Sequence, residues 1–146
     1  MKIFVSLISF LLFVQLSNAQ NLVPNGSFEL QYSCPNNTGQ VDTCIGWHKF
    51  GGIIGVPGTP DYFDSCATSF VGVPDNVFGT QPPFDGSAYM GLFTIDYSYW
   101  YREYIGSELL NTLIPGNTYN ISMRVSRGNE DPSQTDACAA SNRMGI

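Results

Sequence analysis

Charge is scarce in this chain: six of 146 residues are Lys or Arg, twelve are Asp or Glu, and His48 is the one histidine. The few cations form no patch, which argues against nucleic acid and anionic lipid as partners, since both are held by clustered positive charge. A single histidine leaves no legible Ser/His/Asp arrangement, and no serine sits in a nucleophile-elbow pattern. His48 also cannot complete a zinc-finger spacing, and no C-x-x-C occurs, so a zinc site is not expected. Helical periodicity is missing too. Beyond the N-terminal segment no run of ten residues repeats cleanly at 3.6.

Gly, Pro and aromatic residues are abundant instead, with 15 Gly, 9 Pro, 10 Phe, 8 Tyr and 2 Trp. Gly and Pro interrupt helices and aromatic rings fill pleated surfaces, so the composition points to a turn-rich all-β domain of antiparallel sandwich type. The length fits one domain with a real core. Residues 1–19 stand apart from it. Lys2 supplies a positive start, Ile3 to Leu16 an apolar stretch, and Ser17-Asn18-Ala19 the small-x-small pattern of a signal-peptide cleavage site. The apolar run is shorter than the roughly 20 residues a spanning helix needs. An exported domain of residues 20–146, with no membrane insertion after cleavage, is therefore expected. Without Lys2 it carries five bases against twelve acids, a formal charge of −7.

Export makes the cysteines readable. Cys34, Cys44, Cys66 and Cys138 form an even set in an oxidising compartment, which favours two disulfides. Three pairings are open; Cys34 with Cys44 would close a polar loop, and Cys66 with Cys138 would tie a loop to the last segment.

The strand pattern is clearest from Tyr97 to Arg127. Tyr119, Ile121, Met123 and Val125 alternate with Asn120, Ser122, Arg124 and Ser126, the period of a half-buried strand. Pro115-Gly116-Asn117-Thr118 precedes it as a turn, Pro presetting φ and Gly or Asn accepting a positive value. Upstream, Tyr99 to Ile105 reads as another strand, and together they predict the centre of an antiparallel sheet. Pro24-Asn25-Gly26 bends the chain into a first strand with Phe28 and Leu30 on one face. Gly46-Trp47-His48 opens a short strand or loop edge, and Gly51 to Pro60 is too rich in Gly and Pro for a central strand, so a surface loop is expected. The echo of Gly58-Thr59-Pro60-Asp61 in Gly72-Val73-Pro74-Asp75 reads as two similar turns. Phe84-Asp85-Gly86 is a further turn, and Ala88 to Ile95, apolar on both parities, reads as a strand central in its sheet.

NLVPNGSFE at Asn21–Glu29 resembles the opening of galactose-binding-like jelly-roll modules, a group that includes many carbohydrate-binding modules. ELLNTLIPGNTYNISMRVS resembles a second landmark of that group. Gly46-Trp47, Gly58–Phe63, and Gly86–Leu92 with Tyr101–Ile105 between them are similar to the N-terminal modules of bacterial surface proteins exported by the type IX route. The resemblance covers nearly the whole mature chain. It implies a jelly roll at the cell surface or outside the cell, attached to further domains of one parent chain. In such modules the Asn142–Ile146 pattern opens a strand followed by at least one more, so the chain reads as a fragment truncated at its closing strands. The resemblance also implies a structural calcium ion, with Glu29 at the position of the motif's acid; Asp61 with Asp64, and Glu130 with Asp131, are poorer cases because each offers only a pair.

Glycosidase chemistry needs two carboxylates, one with a raised pKa. Glu103 is the one acid inside a strongly apolar strand, and burial would pair it with an arginine or a backbone donor. A non-catalytic module is expected. A sugar presents a C–H face that lies flat on an aromatic ring and a rim of hydroxyls, so a glycan or cell-surface polysaccharide would be held by an exposed ring beside hydrogen-bonding groups. Trp47, Tyr62, Tyr97, Tyr99 and Trp100 are the candidate rings, with Asp61 and Arg102 as polar neighbours. Trp100 stands first because Tyr99 and Tyr101 face the other way. The alternative is a structural or adhesive sandwich making protein or cell-surface contacts without a sugar site.

Overall fold

The computed structural model describes residues 20–53, 56–68, 70–94 and 102–127. They form strands and turns with one short 3-10 turn, Val41–Thr43. The strands are β1 (His48–Ile53), β2 (Val56–Pro57), β3 (Asp61–Asp64), β4 (Asp75–Asn76), β5 (Gly79–Thr80), β6 (Ala88–Gly91) and β7 (Glu103–Gly106). Every pairing among them is antiparallel: a three-stranded sheet ordered β2-β1-β7 and two ladders, β3 with β6 and β4 with β5. The expected all-β, antiparallel character is present as small sheets.

The segment expected as a surface loop from Gly51 to Pro60 is instead a hairpin. β1 runs through Gly51 and Gly52, Ile53 pairs with Val56, and Gly58 N–H donates to Gly51 O at 3.0 Å. β1 is central because it uses its first half for β7 and its last residues for β2. Glycine is needed at Gly51 on two counts. Its φ is +85°, and a Cβ there would lie 3.0 Å from the Arg102 carbonyl oxygen and collide with the Tyr104 ring.

All four residues of β3 are buried, and Asp61, Tyr62, Phe63 and Asp64 pair with Gly91, Met90, Tyr89 and Ala88 of β6. β6 is shorter than expected and, among the described residues, has this one partner rather than a central place; Ile95 lies outside the described residues. The two Pro-Asp echoes are not matching turns, since Asp61 and Asp75 each open a strand, one buried and the other exposed. Phe63 stacks on Tyr89 with centroids 4.9 Å apart and meets Phe78 edge-on at 6.1 Å. This couples β3 and β6 to the β4–β5 ladder through aromatic contacts.

No first strand forms at Ser27–Leu30. Asn25 and Phe28 both take left-handed backbone, at φ +46° and +67°, costly for a bulky residue such as Phe28. The Asn25 side chain compensates by acting as a clamp. Its Nδ2 donates to the carbonyls of Leu30 at 2.8 Å and Ile45 at 2.9 Å, and its Oδ1 accepts from Leu30 N–H at 3.0 Å. Trp47 Nε1–H then donates to the Asn25 carbonyl at 2.9 Å, and the Trp47 ring packs on Phe28 with centroids 4.9 Å apart. The amide thus reinforces a single antiparallel bridge, Gln31 with Cys44, in which Ile45 N–H donates to Leu30 O and Tyr32 N–H to Thr43 O, each at 2.8 Å.

The innermost cluster is Cys44, Tyr62 and Ala88, lined by Phe28, Trp47 and Met90. Cys34 is disulfide-bonded to Cys66, and Cys44 is a free, buried thiol. Both suggested pairings are therefore corrected: Cys44 is in no disulfide, and Cys66 is taken by Cys34. Cys138 lies outside the described residues. Burial pushes the Cys44 thiol up to about 12, against the hydrogen bond from Asn25, so it stays protonated and packs as a small apolar group.

The expected central strand at Tyr119–Ser126 is not a strand. Its turn forms as read: Gly116 takes φ +87° after Pro115, and Asn117 N–H donates to Ile114 O at 3.2 Å. Beyond it the alternation has nothing to act on. Ile121 is 65 % exposed, Met123 and Val125 are also exposed, and none pairs with a neighbour among the described residues. Period-2 patterning chooses which side of a strand a core would cover but supplies no core.

Candidate functional site

Besides the Cys44 thiol, the chemistry-bearing buried groups among the described residues include three carboxylates, Asp61, Asp64 and Glu103, and each is tied to donors. Glu103, on β7, is buried; its Oε1 accepts from Thr59 N–H at 2.9 Å and Thr59 Oγ1 at 3.0 Å, and its Oε2 from Phe93 N–H at 2.9 Å. Pairing with backbone donors is what burial was expected to impose. Asp61 lies nearby at the start of β3, 4 % exposed, and accepts from Gly39 N–H at 2.6 Å. Burial raises its pKa to about 6; the Gly39 hydrogen bond works the other way, and the Glu103 charge adds to the rise. Asp64 caps the far end of β3, with Cys66 N–H donating to Oδ1 at 2.7 Å and the Tyr62 hydroxyl 2.9 Å from Oδ2.

Glu29 is held in the same manner. Ser87 N–H at 3.0 Å and Ala88 N–H at 3.2 Å reach Oε1, and Ser87 Oγ reaches Oε2 at 2.6 Å, while Gly86 leaves room for the carboxylate where a Cβ would collide with it. Burial alone would raise the Glu29 pKa, but these three hydrogen bonds outweigh it and lower the value. Calcium requires several oxygen ligands. The contacts of Glu29 are N–H and O–H donors, and no group of three or more metal-ligating side chains occurs among the described residues. The arrangement fits a strand-end latch and does not fit the expected ion. Asp61 and Asp64 are likewise committed to the fold, and Glu130 with Asp131 lies outside the described residues.

Among the described residues, the rings and polar residues selected from the sequence do not assemble into one surface. Tyr62 is fully buried, its hydroxyl 2.8 Å from the Phe28 carbonyl and 2.9 Å from Asp64, and burial raises its pKa. Trp47 is half-buried against Phe28, Asp61 is sealed in the interior and Arg102 is half-buried beside β7. Tyr62 and Asp61 share one cause of burial, because both belong to β3, all four of whose residues are buried. Tyr97, Tyr99 and Trp100 lie outside the described residues.

A different pair of rings is exposed on paired strands. Phe50 on β1 and Tyr104 on β7 are cross-strand partners, 57 % and 50 % exposed. Each lies across a glycine of the other strand: a Cβ at Gly106 would come within 2.7 Å of the Phe50 ring, and one at Gly51 within 2.9 Å of Tyr104 Cε2. The rings are thus laid down on the sheet rather than standing up from it, and they lean apart along the strands. His48, exposed and opposite Gly106, shares this face. Its Nδ1 is 3.9 Å from Asp42, whose other oxygen pairs with Lys49 at 3.0 Å. Tyr104 was not among the rings selected from the sequence, though the signal was there, since Glu103 turns inward and its neighbour must turn outward. Phe50 was hidden by the glycines after it, which disguised β1 as loop. A shallow cleft of about 540 Å³ lies elsewhere, between Ala67 and Val77. Its amide is already engaged, as Asn76 Nδ2 donates to Tyr89 Oη at 2.7 Å and Oδ1 accepts from Phe78 N–H at 2.9 Å.

The Cys34–Cys66 disulfide suggests a location outside the cytoplasm, and no helix among the described residues is long and apolar enough to cross a membrane. Comparison with protein families, curated proteins and solved structures gives no match.

Proposed function

We propose that this chain is a non-catalytic glycan-binding module, exported to the cell surface or beyond, with a jelly-roll-type sandwich and further domains in the same parent protein. The observation that carries the reading is the Phe50–Tyr104 pair: two half-exposed rings held flat on a sheet, with a histidine at one end. A pyranose lays its C–H face on such a ring while its hydroxyls reach the polar rim, and fixed rings lose little rotamer freedom on binding. Support for a non-catalytic role comes from Asp61, Asp64 and Glu103, which are buried and hydrogen-bonded into the fold rather than poised around a substrate.

The test is a glycan array and polysaccharide pull-down with the full chain, Phe50→Ala and Tyr104→Ala. Binding by the parent chain that falls at least tenfold in both variants is the expected result; retention of full binding in both would remove these rings from the site. A second reading, the structural or adhesive module, is favoured by one observation: Leu110, Ile114, Ile121 and Val125 lie exposed along residues 107–127. Absence of binding to every glycan, with protein partners captured through that stretch, would decide for it.

A further inference from the structure

Resting on that reading, we infer that the Phe50–Tyr104 surface takes an extended, uncharged polysaccharide with equatorial linkages, laid along β1 and β7 so that sugars two units apart stack on the two rings. Direction comes from the glycines. Phe50 leans over Gly106, which faces His48, and Tyr104 leans over Gly51, so the rings point to opposite ends of the paired segment. From His48 to Gly51 is three residues, about 10 Å of strand at ~3.3 Å per residue. A single sugar on one ring does not reach the other, and a chain must bridge the interval.

Linkage geometry selects which chain. Equatorial 1,4-linkages give a ribbon whose successive sugars turn over, so every second unit presents the same face to a flat surface. Axial linkages coil the chain and lift the second unit away. The lack of charge follows from the residues on this face. Phe50 and Tyr104 are uncharged, Lys49 is paired to Asp42, and Arg102 beside Tyr104 is a single, half-buried cation, leaving no clustered positive charge for an acidic polymer. Size selects a sugar over a protein. Two half-exposed rings and an imidazole present on the order of 200–300 Å², against about 800 Å² per partner for a stable protein interface.

The experiment is calorimetric titration of the full chain with β-1,4-linked gluco-oligosaccharides from dimer to hexamer, and with α-1,4-linked oligosaccharides of the same lengths. A tenfold or greater gain in affinity between the β-linked dimer and tetramer is expected, flattening beyond it, with α-linked tetramer at least tenfold weaker than β-linked tetramer. Phe50→Ala and Tyr104→Ala should each erase the gain with length while leaving the thermal midpoint near that of the parent chain, and Phe50→Trp should keep it. Equal affinity for α- and β-linked chains, or no dependence on length, would overturn the inference while binding that still requires Phe50 upholds the glycan-binding reading. Failure of every sugar to bind the folded chain would overturn both.

Discussion

Residues 25–106, whose pattern Gly and Pro interrupt, and residues 107–127, which hold the cleanest alternation in the sequence, end in the opposite of the states those patterns predict. The first region closes around buried side chains whose polar atoms are all accounted for: among the described residues no buried side-chain nitrogen or oxygen lacks a hydrogen-bond partner. The second displays a clean alternation and exposes it. The first is also anchored across long sequence distances, Glu29 to Ser87 and Glu103 to Thr59. The second has thin ties: Leu110 N–H to the Leu22 carbonyl, Arg124 over the Phe84 ring at 4.6 Å, and Ser126 Oγ to Gln81 at 2.9 Å. The difference teaches that hydrophobic periodicity is a condition for a buried strand and not its cause. Placement here was decided by which polar groups found partners.

The largest expected effect falls on the clamp. Asn25→Ala removes the donors to Leu30 and Ile45 and the acceptor for Leu30 N–H together, and should cost about 3 kcal/mol in urea unfolding. A loss below about 0.5 kcal/mol would place the N-terminal segment outside the cooperative unit. Next comes the cross-link. Cys34→Ser with Cys66→Ser opens a loop spanning 32 residues and should cost about 2–4 kcal/mol, with dithiothreitol reproducing the loss in the parent chain and adding nothing to the double variant.

A smaller effect concerns pH, and its sign follows from Asp61. The folded pKa of about 6 lies above the ordinary 3.8, so the folded state keeps a proton that the unfolded chain releases between those values. This contribution is fully present below pH 3.8 and is lost as pH rises through about 6, on the order of 2 kcal/mol. Glu29 acts oppositely: its lowered pKa supports the fold above the ordinary 4.5 and fails as pH falls through the folded value. Thermal midpoints should therefore be higher at pH 5 than at pH 7.5, and Asp61→Asn, which keeps an acceptor for Gly39 N–H, should flatten that slope. A parent chain more stable at pH 7.5 would contradict the burial of Asp61. The smallest effect is expected in the outer stretch, where Ile121→Ala should change stability by less than about 0.5 kcal/mol; a loss above 2 kcal/mol would mean that this side chain is covered in solution.

What the sequence disclosed and what it concealed divide along physical lines. Local backbone chemistry was legible, as in the Pro115-Gly116 turn and the bend at Asn25-Gly26, because the residue types set φ directly. The bonding of Glu103 to backbone donors was legible because a charge in an apolar strand has few other options. The Asn25 clamp was not, since a side-chain amide that holds two backbone segments beside a one-residue bridge leaves no periodic trace. β1 was concealed by Gly51 and Gly52, which read as loop, although the missing side chain of Gly51 makes room for Tyr104. The Cys34–Cys66 link was one of several pairings open to the sequence, and no spacing argument selects it. For the exposed ring pair, parity around Glu103 held a signal for Tyr104 that the choice of Trp47, Tyr62, Tyr97, Tyr99 and Trp100 passed over, whereas Phe50 could be found only once β1 had been paired with β7.

Amide hydrogen exchange resolved by residue tests the central contrast most directly. The N–H groups of Leu30, Ile45, Thr59, Phe93 and Glu103 should be protected together, to the free energy of global unfolding, while those of Ile121 to Val125 exchange within about tenfold of unstructured-chain rates. Protection of Ile121, Met123 and Val125 equal to that of Glu103 would contradict the account, because it would place the alternating stretch inside the core that these interactions are held to build without it.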